Sequence, residues 1–220
     1  MLELNRIYNM DCLEAMKQIP DKYFELAIVD PPYRDMSENQ PTKDMRNNGT
    51  MERFGDKPKA EYFQELYRVS EEQIIWGANN FQLPPFKGFV VWKKKSIGET
   101  FTMSMCEIAS LSEGVATTSK WIELAPQDKC RIHPTQKPVA LYKWLLKNYA
   151  HAGDKILDTH MGSGSSIIAC IDMGFDYMAF EIDKDYFDMA NERIEAHKAQ
   201  GDLFREERKP EKIYEQEGIC

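Results

Sequence analysis

Short apolar runs alternate with amphipathic stretches along most of this chain. The apolar runs predict strands, and stretches with apolar residues three or four positions apart predict helices. The predicted strands are 6–8, 24–29, 72–76, 88–92, 104–111, a run ending at position 158, and 177–180. The predicted helices are a short one from position 12, 60–69, 138–149, one across 167–171, and 184–197. Strands that alternate with helices favour an α/β fold, namely a doubly wound, mostly parallel, Rossmann-like sheet with helices on both faces.

Within the helix 138–149, the pattern places one set of residues toward the core: Ala140, Leu141, Trp144, Leu145 and Tyr149. Three other segments lack such a pattern. Residues 34–56 are polar and long for a loop, so we expect a mobile loop with a function of its own or plain disorder. Residues 112–132 form a short connecting segment, and 201–220 form a charged tail, a surface helix or a loose end. The length fits one domain, 1–220.

Composition narrows the class of protein. The chain has 220 residues, a net charge of −8 and five cysteines without a C-x-x-C spacing. A disulfide framework and a zinc site are therefore not expected, and a reduced, cytoplasmic compartment fits better. No apolar run approaches the roughly 18 residues that span a bilayer, and the first six residues lack the order of a secretory signal. The net charge disfavours indiscriminate nucleic-acid binding, although residues 84–137 carry eight cations against five anions.

The tetrapeptide Asp30-Pro31-Pro32-Tyr33 closes the apolar run 24–29. Ligands in open α/β sheets bind at the carboxyl ends of the strands, so this position is a candidate site. A carboxylate there can accept hydrogen bonds from an amino group while an aromatic ring stacks beside it, and the prolines fix the backbone φ. Because Asp-Pro and Pro-Pro also mark ordinary turns, the tetrapeptide needs a second signal.

That second signal is a glycine turn after the predicted strand that ends at Asp158. The turn 161–164 leads into an apolar helix. Its glycines let the backbone approach a ligand closely, and free N–H groups at the helix start favour a negative group. The next strand ends in Glu181, 23 positions after Asp158. An acid in that position is typical of sites that hold ribose hydroxyls.

The two sets of residues together resemble the amino-methyltransferases that modify exocyclic amines of DNA bases with S-adenosylmethionine. The tetrapeptide 30–33 is similar to the catalytic motif of that family, 158–164 to its cofactor loop, and Glu181 to its ribose acid. The segment His133-Pro134-Thr135-Gln136-Lys137-Pro138 and the segment 9–13 are similar to two further family segments. A catalytic motif that precedes the cofactor loop is the order of the circularly permuted beta group. The resemblance covers residues 5–195 and is strongest to the compact, often phage-borne adenine methylases of that group.

This resemblance implies roles for individual residues. The implied catalytic residues are Asp30, Pro31, Pro32 and Tyr33. The implied cofactor-binding residues are Asp11, Cys12, Asp30, Thr135, Lys137, Asp158, Thr159, His160, Gly162, Ser163, Gly164 and Glu181. No metal is expected.

Among the catalytic residues, the Asp30 carboxylate and the Pro31 carbonyl would hold the target amine, and Tyr33 would stack on the base. In the cofactor site, Glu181 would accept the ribose hydroxyls.

Three further cofactor contacts follow from the same resemblance. Asp11 and the Cys12 backbone would meet the cofactor adenine. Thr135 and Lys137 would hold the methionine carboxylate, and Asp158 with the glycine turn would surround the rest of the methionine part. A solvated lysine at a helix start is the alternative for Lys137.

One position departs from the family pattern. The family loop reads Asp-Pro-Phe before the glycines, whereas this chain has Asp158-Thr159-His160. His160 either packs as a flat ring in place of the aromatic residue, or gains a proton near pH 6–7 and disfavours the cationic sulfonium of the cofactor.

The implied reaction is methyl transfer from S-adenosylmethionine to N6 of adenine in double-stranded DNA, with the target base flipped out. An aspartate first in the tetrapeptide favours adenine, since serine is commoner there in N4-cytosine enzymes. An N4-cytosine enzyme, a catalytically weak DNA-binding relative and an RNA methyltransferase are the alternatives. Recognition would fall to loop 34–56, which we expect to order on DNA, and to segment 112–132. A basic rim around the catalytic strand ends is expected, and a homodimer is an option because beta-group relatives are often dimers.

Overall fold

A sheet with helices on both of its faces makes up the fold. The computed structural model describes residues 2–33, 42–43, 50–51, 57–95, 97–100, 104–126 and 131–207, and for 42–43, 50–51 and 201–207 it gives the backbone alone. The strands are β1 (Arg6–Asn9), β2 (Phe24–Val29), β3 (Thr42–Lys43), β4 (Thr50–Met51), β5 (Ser70–Trp76), β6 (Gly88–Lys94), β7 (Cys106–Leu111), β8 (Lys120–Leu124), β9 (Lys155–Asp158) and β10 (Asp176–Glu181). The helices are α1 (Cys12–Met16), α2 (Ala60–Val69), α3 (Val139–Tyr149), α4 (Ser165–Met173) and α5 (Lys184–Glu207).

Among the described residues, eight strands form one sheet in the order β1-β10-β9-β2-β5-β7-β6-β8. Neighbouring strands run parallel except around β7, which is antiparallel to both β5 and β6. β3 and β4 form a separate antiparallel pair. The central strand β2 is a nearly continuous apolar run because both faces of the sheet are covered there.

Helices cover the sheet on two sides. α1 and α2 pack on one face, in a core that includes Phe24 and Leu66. α3, α4 and α5 pack on the other face, in a core that includes Leu26 and Leu145. The predicted doubly wound, mostly parallel α/β sheet is therefore confirmed. In the part of the chain that the structure describes, no helix combines the length and apolar character needed to cross a membrane.

The chain leaves the centre of the sheet in opposite directions from β2 and β9. From β2 it continues through α2 to β5 on one side, and from β9 it continues through α4 to β10 on the other. The carboxyl ends of these two adjacent strands therefore border a crevice at the topological switch point, where open α/β sheets bind ligands. Ala27 lies opposite Leu157 in the register, so the residues after β2 and at the end of β9 share one edge.

β8 is a strand that the sequence pattern did not predict. It lies within segment 112–132 and forms the last strand of the sheet, and Lys120, Trp121 and Glu123 on it are exposed. Charged side chains are typical of edge strands and hide the apolar alternation. Residues 127–130 of this segment, most of loop 34–56 and the tail beyond 207 lie outside the described residues, and 201–207 continue α5.

The predicted inward face of α3 was wrong in part. Ala140 is exposed and Trp144 is half-buried. The buried residues of this helix are Leu141, Tyr142, Leu145, Leu146 and Tyr149. The buried face is rotated from the predicted one because α3 packs against α4 as well as the sheet.

The amphipathic pattern of α2 yields a stability prediction. Leu66 is fully buried against the sheet, whereas Gln64 on the same helix is exposed. Replacing Leu66 by alanine removes buried methyl groups and leaves a cavity, so Leu66→Ala should lower the free energy of unfolding by about 2–5 kcal/mol. Gln64→Ala should change it by less than about 0.5 kcal/mol. Urea denaturation measures both, and equal effects would contradict the burial of this face.

Candidate active site

The two sequence motifs meet at the carboxyl ends of neighbouring strands. β2 ends at Val29, so Asp30 follows it directly, and Asp158 is the last residue of β9. The two carboxylates are close enough that the charge of Asp30 contributes, after the larger effect of burial, to raising the pKa of Asp158. The structure thus brings the tetrapeptide and the glycine turn to one edge of the sheet.

Both oxygens of the Asp30 carboxylate accept hydrogen bonds. The Tyr33 hydroxyl donates to Oδ1 at 2.5 Å, and the Lys137 ammonium donates to Oδ2 at 2.5 Å. Lys137 comes from the loop before α3, and its side chain is only 3% exposed. The alternative of a solvated lysine at this position is therefore wrong.

A second carboxylate holds the same ammonium. Oε2 of Glu107 on β7 lies 2.9 Å from Nζ of Lys137, and its Oε1 lies 2.6 Å from Nζ of Lys94 on β6. Nζ of Lys137 also donates to the Tyr33 hydroxyl at 3.2 Å and lies 5.3 Å from the centre of the Trp76 ring. Two carboxylates and two ammonium groups form this ion cluster, and their charges balance, as buried charges require.

The ion cluster sets the protonation of its members. Burial raises the pKa of Asp30, while the charge of Lys137 opposes this rise and that of Glu107 adds to it. Burial also acts against the charge of Glu107, yet Lys137 and Lys94 outweigh it and lower the pKa of Glu107 to about 2. Burial likewise opposes the charge of Lys137, but Asp30 and Glu107 raise its pKa overall. Asp30 is therefore the member of the cluster that takes up a proton most readily.

The Tyr33 ring lies directly against the backbone of Gly77, which follows β5. A Cβ on Gly77 would lie 2.1 Å from Cε1 of Tyr33, and Gly77 has a φ of 67°, where glycine is favoured. The ring meets Phe81 edge to face, with 6.1 Å between the ring centres. Tyr33 is thus folded back onto the wall of the site, with its hydroxyl on Asp30.

Asp158 is buried and anchors the glycine turn. Its carboxylate accepts the Ser166 hydroxyl at 2.5 Å and the His160 backbone N–H at 3.0 Å. Burial raises the pKa of Asp158 to about 7, although these two hydrogen bonds act in the opposite direction. A positive group nearby would favour the carboxylate form again, so the site is suited to a cationic ligand.

Glu181 ends β10 and is fixed beside the same turn. Its carboxylate accepts the backbone N–H of Gly162 at 3.1 Å and that of Asp183 at 2.9 Å. Burial raises the pKa of Glu181. Each carboxylate oxygen can accept more than one hydrogen bond, so Glu181 can also receive hydroxyl groups of a ligand.

The glycines of the turn have backbone conformations with positive φ, 50° at Gly162 and 73° at Gly164. A Cβ on Gly164 would lie 2.8 Å from Cδ1 of Ile194 on α5. On the same helix, Arg193 donates to the Ser163 carbonyl at 2.8 Å. Glycine at position 164 is therefore favoured by its positive φ and by packing against α5, and the sequence pattern did not indicate the second reason.

A line of aromatic rings connects the tetrapeptide with loop 158–164. Its members, in order of contact, are Tyr33, Phe81, Phe63, Tyr62 and His160. The Tyr62 hydroxyl lies 2.6 Å from the Thr159 hydroxyl, which ties α2 to the loop. Through this line, α2 fixes the spacing between the two motifs.

His160 packs as a neutral aromatic ring. Burial lowers its pKa to about 4. Its Nδ1 lies 2.9 Å from the Thr159 hydroxyl, and its Nε2 lies 3.9 Å from Sγ of Cys12. The structure favours the first of the two expectations for His160, namely that it packs as a flat ring in place of the family's aromatic residue. The other expectation, that His160 gains a proton near pH 6–7, is not supported, because burial keeps the imidazole neutral in that range.

The remaining predicted residues lie around the turn. Asp11 caps α1, where its carboxylate accepts the N–H groups of Leu13 and Glu14 at 2.7 and 3.2 Å. Burial raises the pKa of the Cys12 thiol to about 12, so it is not a reactive thiolate. Thr135 is exposed, and its hydroxyl lies 3.1 Å from Nδ1 of His133.

His133 in turn packs beside the glycine turn. A Cβ on Gly162 would lie 3.6 Å from its ring. Thr135 is therefore connected to the turn through His133.

Sequence reasoning missed the part played by Glu107, Gly77 and Tyr62. Glu107 was detectable as a lone acid in an otherwise apolar strand, whereas the contact of Gly77 with Tyr33 left no signal along the chain. The expected basic rim also needs a correction. Two of its cations, Lys94 and Lys137, are buried in ion pairs and cannot belong to an exposed rim.

The contact between Tyr33 and Gly77 gives a prediction with a matched control. Gly174, after α4, also has a positive φ, 76°, but a Cβ there meets no atom within 4 Å. Gly174→Ala should lower the free energy of unfolding by about 1–2 kcal/mol through backbone strain alone. Gly77→Ala should cost about 1–3 kcal/mol more, since the Tyr33 ring must move. In a Tyr33→Ala background the two alanine substitutions should cost the same. Chemical denaturation measures the two single variants, the two double variants and Tyr33→Ala as their reference, and equal costs with Tyr33 present would contradict the contact.

Comparison with known proteins bears directly on this site. Residues 90–192, a little under half of the chain, match the N6_N4_Mtase family, described as DNA methylase. The type II methyltransferase M.HinfI of Haemophilus influenzae is 23% identical, over 87% of this chain and 68% of that protein.

Solved structures resemble the chain over most of its length. The crystal structure of the M1.HpyAVI–SAM complex has a TM-score of 0.55 and 21% identity, over 86% of this chain and 98% of that one. The PvuII DNA methyltransferase (cytosine-N4-specific) has a TM-score of 0.59 and 12% identity, over 91% and 93%. At such identities the structures establish a shared fold. The family match and the sequence relative together support a DNA methyltransferase.

Proposed function

We propose that this protein transfers the methyl group of S-adenosylmethionine to the N6 amino group of an adenine in DNA. The observation that carries the proposal is the position of Asp30 beside the glycine turn, with two hydrogen-bond donors on its carboxylate. An adenine amine is a weak nucleophile because its lone pair is delocalised into the ring. Acceptors that hold both of its N–H groups turn that lone pair toward the incoming methyl, and positioning of this kind lowers the barrier by several kcal/mol.

Asp30 suits the part of the acceptor. Its carboxylate already binds one N–H donor and one O–H donor in the free protein, and burial raises its pKa, so it can also take the proton that the amine releases. The carbonyl of Pro31 is proposed as the second acceptor, because the two prolines fix its direction.

S-adenosylmethionine fits the residues around the glycine turn. The buried carboxyl groups of Asp158 and Glu181 both have raised pKa values, and a positively charged ligand relieves the cost of their ionisation. Glu181 would hold the ribose hydroxyls, Asp158 and the turn the methionine part, and Asp11 and Cys12 the adenine ring. When bound, the cofactor supplies an electrophilic methyl on a sulfonium. The neutral ring of His160 adds no charge against that sulfonium.

Tyr33 would stack on the target base after the base leaves the duplex. Flipping costs a few kcal/mol, and stacking on an aromatic ring returns about 1–3 kcal/mol. In the free protein the ring rests on Gly77 with its hydroxyl on Asp30, so we infer that it turns outward when the base enters. Recognition of the DNA would use loop 34–56, segment 112–132 and the exposed cations near the strand ends, with a second subunit as an option.

Product analysis tests the proposed reaction. DNA incubated with the protein and S-adenosylmethionine is digested to nucleosides, and the modified nucleoside is identified by mass spectrometry. We expect N6-methyl-2′-deoxyadenosine. Asp30→Ala should abolish its formation while leaving cofactor binding largely intact, because Lys137 keeps Glu107 as a partner. The control Asp188→Ala removes an exposed aspartate on α5 and should be fully active.

Each other outcome of that experiment has a definite meaning. Detection of N4-methyl-2′-deoxycytidine would show that the target base is cytosine and not adenine. Full activity of Asp30→Ala would remove the proposed role of its carboxylate. Absence of any product together with absence of cofactor binding by calorimetry would favour a DNA-binding protein without activity.

The cofactor role of Glu181 gives a second prediction. Glu181→Ala should weaken S-adenosylmethionine binding by about 1–3 kcal/mol, the scale of lost hydrogen bonds to a charged group. Glu192→Ala, which removes an exposed carboxylate on α5, should leave the affinity unchanged. Isothermal titration calorimetry measures the S-adenosylmethionine affinity of both variants, and identical affinities would contradict the cofactor role of Glu181.

A further inference from the structure

In the free protein the Asp30 carboxylate already has a hydrogen-bond donor on each of its oxygens. Tyr33 occupies one oxygen of Asp30 and Lys137 the other, each at 2.5 Å. The Lys137 ammonium therefore makes the N–H contact with Asp30 that, under the proposed function, belongs to the amino group of the target base. Each oxygen of Asp30 has room for a further hydrogen bond, but the Lys137 ammonium offsets the negative charge of the carboxylate. The base and Lys137 therefore compete for Asp30, and the amine is held most strongly once the ammonium is released.

Lys137 cannot leave Asp30 by moving into water. Its side chain is 3% exposed, and Nζ lies 5.7 and 5.3 Å from the centres of the Tyr33 and Trp76 rings. A buried ammonium that loses its carboxylate is strongly unfavourable unless another takes over. Glu107 is in place to do so, with Oε2 already 2.9 Å from Nζ.

Glu107 is itself held in position by a second lysine. Lys94 on β6 binds its other oxygen at 2.6 Å, and the Glu107 side chain is 20% exposed. Glu107 stays ionised at neutral pH, because Lys137 and Lys94 lower its pKa to about 2 despite burial. It is therefore a fixed negative charge on β7, in contact with the same Lys137 ammonium as Asp30.

We propose that Glu107 is a positioning residue that receives the Lys137 ammonium when the target base enters, and so frees Asp30 for the amino group. The inference rests on the proposed function. Charge remains balanced throughout: in the free protein Lys137 is shared by Asp30 and Glu107, and in the complex it pairs with Glu107 alone. Asp30 then faces the amine as a buried anion, which strengthens its hold on the N–H groups.

The Tyr33 hydroxyl contacts the three side chains that take part in this change of ion pairing. It lies 3.2 Å from Nζ of Lys137 and 3.5 Å from Oε2 of Glu107, besides its contact with Asp30. Movement of the ammonium toward Glu107 therefore changes the hydrogen bonding of the Tyr33 hydroxyl as well. Release of the carboxylate and release of the stacking ring are linked through this one lysine.

The kinetic test uses a variant of the same shape. Glu107→Gln leaves Lys137 without a second anion, so kcat/KM for DNA should fall about tenfold to a hundredfold, the scale of a lost hydrogen bond between charged groups. The loss should appear mainly in KM for DNA, with the Kd for S-adenosylmethionine within about twofold of the unmodified protein. Glu107→Asp should restore part of the loss. The matched control is Glu195→Gln, which removes an exposed ion pair with Lys198 on α5, away from the site.

A second readout does not depend on turnover. The pKa of Asp30 in the free protein is measured by carboxyl ¹³C NMR, with the signal assigned through Asp30→Asn. The charged or titratable groups that face Asp30 are Lys137, Glu107, Tyr33, Asp158 and Tyr142. Lys94 acts on Asp30 indirectly, by its ion pair with Glu107.

Removing the positive charge with Lys137→Met should raise the pKa of Asp30 further. Removing the negative charge with Glu107→Gln should lower it. Asp30 has to be ionised to accept the amine, so kcat/KM falls as the pH drops through the pKa of Asp30. The pH of this fall should be higher in Lys137→Met and lower in Glu107→Gln than in the unmodified protein.

The outcomes separate the inference from the function on which it rests. Suppose that the unmodified protein methylates DNA and that Glu107→Gln has the same KM for DNA and the same pH dependence of kcat/KM on the acid side. The positioning role of Glu107 is then overturned, and the proposed function stands. Shifts of the Asp30 pKa in the same direction in both variants, or no shift in either, would also overturn the role, whether or not the protein is active. Opposite shifts with a raised KM for Glu107→Gln alone would support it.

Discussion

The parallel pairing of β2 with β9 is the constraint on which the rest of the structure depends. Residues that are more than 120 positions apart along the chain become neighbours because these strands lie side by side in one register. Both strands point the same way, so the acid after β2 and the acid that ends β9 reach the same edge of the sheet. The crossovers then diverge, through α2 on one side and α4 on the other, and leave the crevice between them open.

Burial of charge is the second feature that shapes the site. Asp30, Lys137, Glu107 and Lys94 come from four separate segments and are largely removed from water. Replacing such a cluster by apolar side chains would often stabilise a protein, so its presence here is better explained by the needs of the site than by stability. The line of aromatic rings from Tyr33 to His160 has a related effect, because it keeps water away and fixes the distance between the tetrapeptide and the glycine turn.

Much of this arrangement was accessible from the sequence, for reasons that differ between residues. The strand before Asp30 and the strand before the glycine turn are continuous apolar runs, and such runs identify buried parallel strands. β8 was missed because its exposed Lys120, Trp121 and Glu123 leave no apolar alternation. The buried face of α3 was misjudged because two partners, the sheet and α4, select its orientation, and a periodic pattern assumes only one.

Pairwise contacts between distant residues were the part that sequence could not supply. The position of Lys137 on Asp30 depends on where the loop before α3 crosses the end of β2, which no local pattern encodes. The protonation of His160 depends on burial, so the same residue was compatible with a packed ring or with a charge until its surroundings were known. The roles of the predicted cofactor residues remain predictions that the geometry supports.

The most direct measurement is a crystal structure of the protein with bound S-adenosylmethionine. The account predicts density for the cofactor across the carboxyl ends of β2 and β9, with its ribose hydroxyls on the Glu181 carboxylate and its methyl directed toward Asp30. Density at any other place on the sheet, or a methyl directed away from Asp30, would contradict it.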